Sequence, residues 1–135
     1  MDPEAVEIPV ASRAGVEEVR RAARAMASAL GFAQEEAEMV VLAAIELATN
    51  LHRYAREGRI RFTPLAGAPG VGIEVTSRDA GPGIPDRGAA LRDGFSTGGG
   101  RGNGLPAVRR LMDEFSVVSG TDGTTIVARK WRSTP

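Results

Sequence analysis

A chain of 135 residues has the length of one domain and can bury about two-thirds of the surface its unfolded form exposes. Its 17 basic and 17 acidic residues cancel, which argues against bulk electrostatic capture of nucleic acid or anionic lipid and leaves room only for a local patch. The absence of cysteine excludes disulfides, thiolate catalysis and Cys-ligated metals, and a single histidine, His52, cannot build a His-rich metal site.

Lysine is almost as scarce: Lys130 stands alone against sixteen arginines. A Walker-type P-loop needs a lysine after its glycines, and a eukaryotic-type kinase needs a Lys–Glu pair and an Asp-Phe-Gly signature; neither pattern is present. No apolar stretch approaches membrane-spanning length, and the acidic N-terminus has no signal-peptide pattern, so the expected location is the cytoplasm, with no membrane partner.

In chain order, Val6 to Val10 alternates as a short strand, and Pro9 inside it suits an edge position. Ser12 offers an N-cap to a first helix. In it Val16, Val19, Ala23, Met26, Ala27 and Leu30 recur at helical spacing up to the stop at Gly31. A second helix is expected from about Ala33 to Ala55. Its main apolar stripe is Val40, Ala44, Leu47, Leu51 and Tyr54, widened by Val41, Ile45 and Ala48.

Glu46 and Asn50 lie one turn apart at the margin of that stripe. Taken alone they fit a solvated face or a local hydrogen-bonding pair. Asn, however, is a poor residue for a helix interior because its side chain competes for the backbone. A hard cation beside phosphates would justify it, since Mg²⁺ accepts an amide oxygen and keeps its other places for water and phosphate. Glu46 would then serve as a general base or position a water. His52 reads as a surface residue.

Arg59 to Pro64 and Val71 to Ser77 read as an antiparallel hairpin, with Asp79 at the end of its second strand. Two glycine clusters follow. Asp79-Ala80-Gly81-Pro82-Gly83-Ile84 leaves the strand, and Gly98-Gly99-Gly100-Arg101-Gly102-Asn103-Gly104 opens a helix from Leu105 to Phe115. Such runs are often plain surface linkers. At a helix mouth they also bring bare N–H groups close to an anion, which is phosphate-binding chemistry. The irregular segment between them, about 85–104, reads as a mobile lid over a ligand. Phe115 to Ser119 and Thr124 to Ala128 close the chain as a second hairpin. The order β-α-α-β-β-lid-α-β-β predicts one domain over 1–135. Its fold class is an α+β two-layer sandwich, with a mixed, mostly antiparallel sheet covered on one face by helices.

Three separated segments thus carry chemistry suited to parts of a nucleotide. Asp79 can accept from an exocyclic adenine amine, Gly81 and Gly83 let the chain pass close to a base, and Gly102 and Gly104 can cradle phosphates. Glu46-Leu-Ala-Thr-Asn50, Asp79-Ala-Gly81-Pro-Gly83-Ile84, Gly102-Asn-Gly104-Leu105 and Gly123-Thr124-Thr125 resemble, in order, the four boxes of the gyrase, histidine-kinase, heat-shock ATPase and MutL superfamily. Three further strings, Asp93-Gly-Phe-Ser-Thr97, Gly104-Leu-Pro-Ala-Val108 and Arg110-Leu-Met-Asp-Glu-Phe115, with Lys130-Trp131, are most similar to its RsbT-type serine/threonine kinases, the stressosome switch kinases.

The resemblance implies an ATP-binding (Bergerat) fold and a cytoplasmic protein kinase using ATP and Mg²⁺. Asn50 would hold the metal, Glu46 would activate the attacking serine hydroxyl, and Asp79 would read adenine. Gly81, Gly83 and Ile84 would shape the base pocket, and Thr124 would support the adenine end. The second glycine box, with Thr97, Gly98, Gly100, Arg101, Gly102, Gly104 and Leu105, would contact the phosphates. Arg101 and Asn103 depart from the small or apolar residues expected there; Arg101 is either a phosphate ligand replacing the missing lysine or an exposed lid residue. The implied substrate is a serine on an RsbS-like STAS-domain protein, with a PP2C-type phosphatase as a further partner and no nucleic acid. Two other readings share the boxes: a nucleotide-gated partner-binding switch with little phosphotransfer, and an anti-sigma factor.

Overall fold

A computed structural model describes residues 3–54, 58–67, 70–80 and 104–133 of the chain. Five strands and three helices are found among them: β1 (Val6–Val10), α1 (Arg13–Ala29), α2 (Gln34–Tyr54), β2 (Gly58–Leu65), β3 (Gly72–Asp79), α3 (Gly104–Leu111), β4 (Glu114–Gly120) and β5 (Gly123–Trp131). The sheet order is β1-β2-β3-β5-β4, and every pairing in it is antiparallel. This is the expected α+β sandwich.

Alternation in the strands divides the sheet into two chemically different faces. Ile8, Val10, Ile60, Phe62, Ile73, Val75, Ile126 and Ala128 are buried on one face, where they form a continuous core with Val19, Ala23, Met26 and Ala27 of α1 and Val40, Val41, Ala44, Leu47, Ala48 and Leu51 of α2. Pro9 lies on β1, which edges the sheet, so its missing N–H breaks no interior ladder. The side chain of Tyr54, expected in the α2 stripe, lies outside the described part.

The helix ends have local causes. Ser12 precedes α1 in an extended conformation, but its hydroxyl makes no capping bond. Its carbonyl instead accepts from the Gly15 and Val16 amides at 3.1 and 3.3 Å. At the other end the Gly31 and Phe32 amides reach back to the Ser28 and Ala27 carbonyls, and Phe32 enters the core.

The third helix is shorter than the expected Leu105 to Phe115. It stops at Leu111, because the Lys130 ammonium from β5 donates to the Leu111 carbonyl at 2.8 Å and the Asp113 amide donates to the Arg129 carbonyl at 2.9 Å. These bonds turn the chain into β4, where Phe115 belongs to a strand. The Lys130 ammonium also reaches the Met39 sulfur of α2 at 3.2 Å. The only lysine is therefore a buried clamp joining β5, α2 and the end of α3.

Candidate active site

Helix α2 carries Glu46 and Asn50, both half-buried, one turn apart on the flank that meets α3. A Cβ built on Gly104 would lie 3.0 Å from both Oδ1 and Nδ2 of Asn50. The amide thus packs directly on the backbone at the mouth of α3. Since the far end of α3 reaches Met39 through Lys130, α3 runs antiparallel to α2 and points its N-terminus at Asn50.

Glycine at position 104 permits this close approach, since a Cβ there would press on the Asn50 amide and shift it by a few tenths of an ångström. Along the first turn of α3, Pro106 has no N–H to offer, so donors there come from the Gly104, Leu105 and Ala107 amides. Leu105 itself is buried and anchors the turn to the core.

A second cluster forms where β3 ends. Asp79 pairs in register with Thr124 of β5, and Thr124 with Ser119 of β4, so all three project to the helix-covered face. Thr124 is buried, its hydroxyl 3.1 Å from that of Ser119, and Asp79 is half-buried beside it. Gly123 holds the junction: its φ is +134°, and a Cβ there would fall 2.0 Å from the Asp79 carbonyl oxygen. Ser119 was not anticipated from sequence. Only the cross-strand register reveals it, because 119 and 124 sit on opposite sides of a hairpin turn.

Of the sequence-derived site residues, Glu46, Asn50, Asp79, Gly104, Leu105 and Thr124 lie within the described structure, which brings Asn50 against Gly104 and Asp79 beside Thr124. Gly81, Gly83, Ile84, Thr97, Gly98, Gly100, Arg101 and Gly102, with lid residues 85–103, lie outside the described residues. His52 is exposed on α2, as expected of a surface residue.

The donor set fits a phosphate-bound hard cation better than a protein-caged one. Among the described residues no three His, Cys, Asp or Glu side chains converge as metal ligands. Asn50 offers a neutral amide oxygen against a glycine backbone at a helix mouth, which leaves most coordination places to phosphate and water. No helix among the described residues is long and apolar enough to cross a membrane.

The histidine kinase-like ATPase domain family matches residues 10–130 of the chain. Over 113 residues the chain is 44% identical to Serine/threonine-protein kinase RsbT of Bacillus subtilis (strain 168), covering 83% of this chain and 85% of that protein. Among solved structures, the RsbU and RsbW domains of Rv1364c from Mycobacterium tuberculosis align with a TM-score of 0.69 and 19% identity, over 98% of this chain and 34% of that one. The chain thus spans about a third of the length of that structure. The SiaB–SiaC complex from Pseudomonas aeruginosa aligns with a TM-score of 0.58 and 18% identity, over 93% of this chain and 88% of that one. At these identities the two structures share the fold.

Proposed function

Because the chain belongs to the histidine kinase-like ATPase family, and within it to the RsbT type of serine/threonine-protein kinase, we propose that it transfers the γ-phosphoryl group of ATP to a serine of a STAS-domain partner in a bacterial partner-switching pathway. Once released from that partner, it activates a PP2C-type phosphatase. The observation that carries this reading is the seating of Asn50 on the Gly104 backbone, one helical turn from Glu46.

In this reading the whole chain is one kinase domain, with residues 85–104 as its lid. Asp79 accepts a hydrogen bond from the adenine amine. Thr124, steadied by Ser119, supports the same end of the nucleotide. Gly81, Gly83 and Ile84 line the base pocket. Thr97, Gly98, Gly100, Arg101, Gly102, Gly104 and Leu105 face the phosphates, with the first-turn amides of α3 as donors.

Glu46 accepts the serine proton as the hydroxyl oxygen attacks the γ-phosphorus; the bond from that phosphorus to the β–γ bridging oxygen breaks, and ADP departs with the electron pair. Asn50 holds Mg²⁺, which when bound neutralises charge on the phosphates. Most of the acceleration comes from positioning, so each of these residues acts mainly by fixing geometry.

Equilibrium binding of a fluorescent ATP analogue, with and without Mg²⁺, tests the site. Asn50→Ala should remove the Mg²⁺-dependent part of the affinity, and Asp79→Asn should weaken binding in both conditions. Unchanged affinity in Asn50→Ala would remove that residue from the metal role. Bound nucleotide that never labels a STAS partner would point instead to a nucleotide-gated binding switch.

A further inference from the structure

The sheet face turned away from the helices, and so away from Asp79 and Thr124, is polar and unevenly charged. Glu7 of β1, Arg59, Arg61 and Thr63 of β2, and Glu74, Thr76 and Arg78 of β3 line a concavity of about 250 Å³ on it. Arg59 stands directly opposite Arg78 in the β2–β3 register. Like charges so placed across an antiparallel pair repel. Arg61 follows two residues along β2, about 6.8 Å away.

The carboxylates nearby do not neutralise this group. Glu7 serves both Arg59 and Arg61, at 3.4 and 3.9 Å. Glu74 is engaged by the Arg129 guanidinium at 2.8 Å and by the Thr76 hydroxyl at 3.4 Å. Arg129 in turn binds Glu114 at 3.1 Å. Among the described residues Arg59 and Arg61 share the carboxylate of Glu7, and Arg78 has no carboxylate partner.

We propose that this face docks an extended acidic segment of a partner protein, with carboxylates at alternating positions. The i, i+2 spacing of Arg59 and Arg61 matches the same-side repeat of an extended chain, and Arg78 lies across from the first of them. Thr63, half-buried in the same concavity, supplies a hydroxyl partner beside the charges. Glu7 and Glu74 in the same concavity disfavour a continuous polyanion such as nucleic acid, whose closely spaced phosphates they would repel. This surface is separate from the nucleotide site, so its failure would leave the kinase reading untouched.

A ten-residue peptide of alternating Glu and Thr, labelled for anisotropy, is the probe, with alternating Gln and Thr as its control. The full chain should bind the acidic peptide and not the control, and added salt should weaken the complex. Arg61→Gln with Arg78→Gln should lower affinity about tenfold while ATP-analogue affinity and thermal unfolding stay unchanged. Arg20→Gln with Arg24→Gln, which removes the same charge from α1, should retain peptide binding.

Equal binding by the Arg61/Arg78 variant, equal binding of the two peptides, or no binding of either would overturn the proposal. So would displacement of the peptide by equimolar inorganic phosphate, which would mark a simple anion site. Self-association of the wild-type chain that the Arg61/Arg78 variant abolishes would assign the face to a second copy instead.

Discussion

At Asn50 an amide that lowers helix propensity is packed directly against the Gly104 backbone. Gly104→Ala would put a methyl group 3.0 Å from both polar atoms of that amide. Because alanine is the better helix former, stability should change by less than about 1 kcal/mol, whereas nucleotide affinity should fall at least tenfold. A variant with unaltered affinity would show that the Asn50–Gly104 contact is not part of the site. Gly123→Ala is a different case: the backbone sits at φ +134° and the new Cβ would meet the Asp79 carbonyl at 2.0 Å. It should cost about 1–3 kcal/mol in urea unfolding and disturb Asp79 with it. Asn50 stood out in the sequence because an amide is unusual deep in an apolar helix, Glu46 through its four-residue spacing from it, Asp79 through the glycine cluster that follows its strand, and Thr124 only through the family resemblance. Ser119 could not, since a serine near a hairpin turn is ordinary until its hydroxyl is found 3.1 Å from Thr124.

Among the elements, α3 depends on what captures its C-terminus. Lys130→Met keeps an unbranched apolar stem but removes the ammonium, leaving the Leu111 carbonyl without its donor. The variant should lose about 1–3 kcal/mol, and amide exchange should quicken in α3 before the β2–β3 pair. Exchange that quickens everywhere at once would contradict a local clamp. This end was misread from sequence because Leu111, Met112 and Phe115 continue a helical spacing; the bonds that stop the helix come from β5, far along the chain.

The β4–β5 hairpin carries its own pH response. Bonds from the Trp131 indole N–H, at 2.5 Å, and from the Arg129 guanidinium hold the Glu114 carboxyl below its ordinary value; the Ser133 hydroxyl does the same for Glu36. A lowered carboxyl pKa contributes stability that is complete above the unfolded value of about 4.3 and is lost as pH falls through the folded one. Fluorescence of the single tryptophan should therefore change below about pH 4.3, ahead of global unfolding. Glu114→Gln should abolish that early step; an identical acid profile in the variant would refute the assignment.

Across the whole molecule, the helices and the sheet share one core centred on side chains such as Phe62, which is fully buried. Phe62→Ala should cost about 3–5 kcal/mol and lower the midpoint of a single cooperative transition seen by both helix and tryptophan signals. The elements and the two-layer class were legible because alternation in β1–β3 and β5 and helical spacing in α1 and α2 are local patterns. The order β1-β2-β3-β5-β4 was not, since nothing local dictates that β5 enters beside β3 and leaves β4 at the edge. That insertion is what carries Thr124 to Asp79. The central claim is that this scaffold positions Glu46 to take a proton from a serine. The most direct measurement is single-turnover transfer of labelled phosphate from saturating Mg-ATP to a STAS-domain partner, with the wild-type chain beside Glu46→Gln. Label on serine, with transfer slowed by about two to four orders of magnitude in the variant at unchanged ATP affinity, is the predicted result. Equal rates in the two proteins, or no label despite full ATP occupancy, would contradict it.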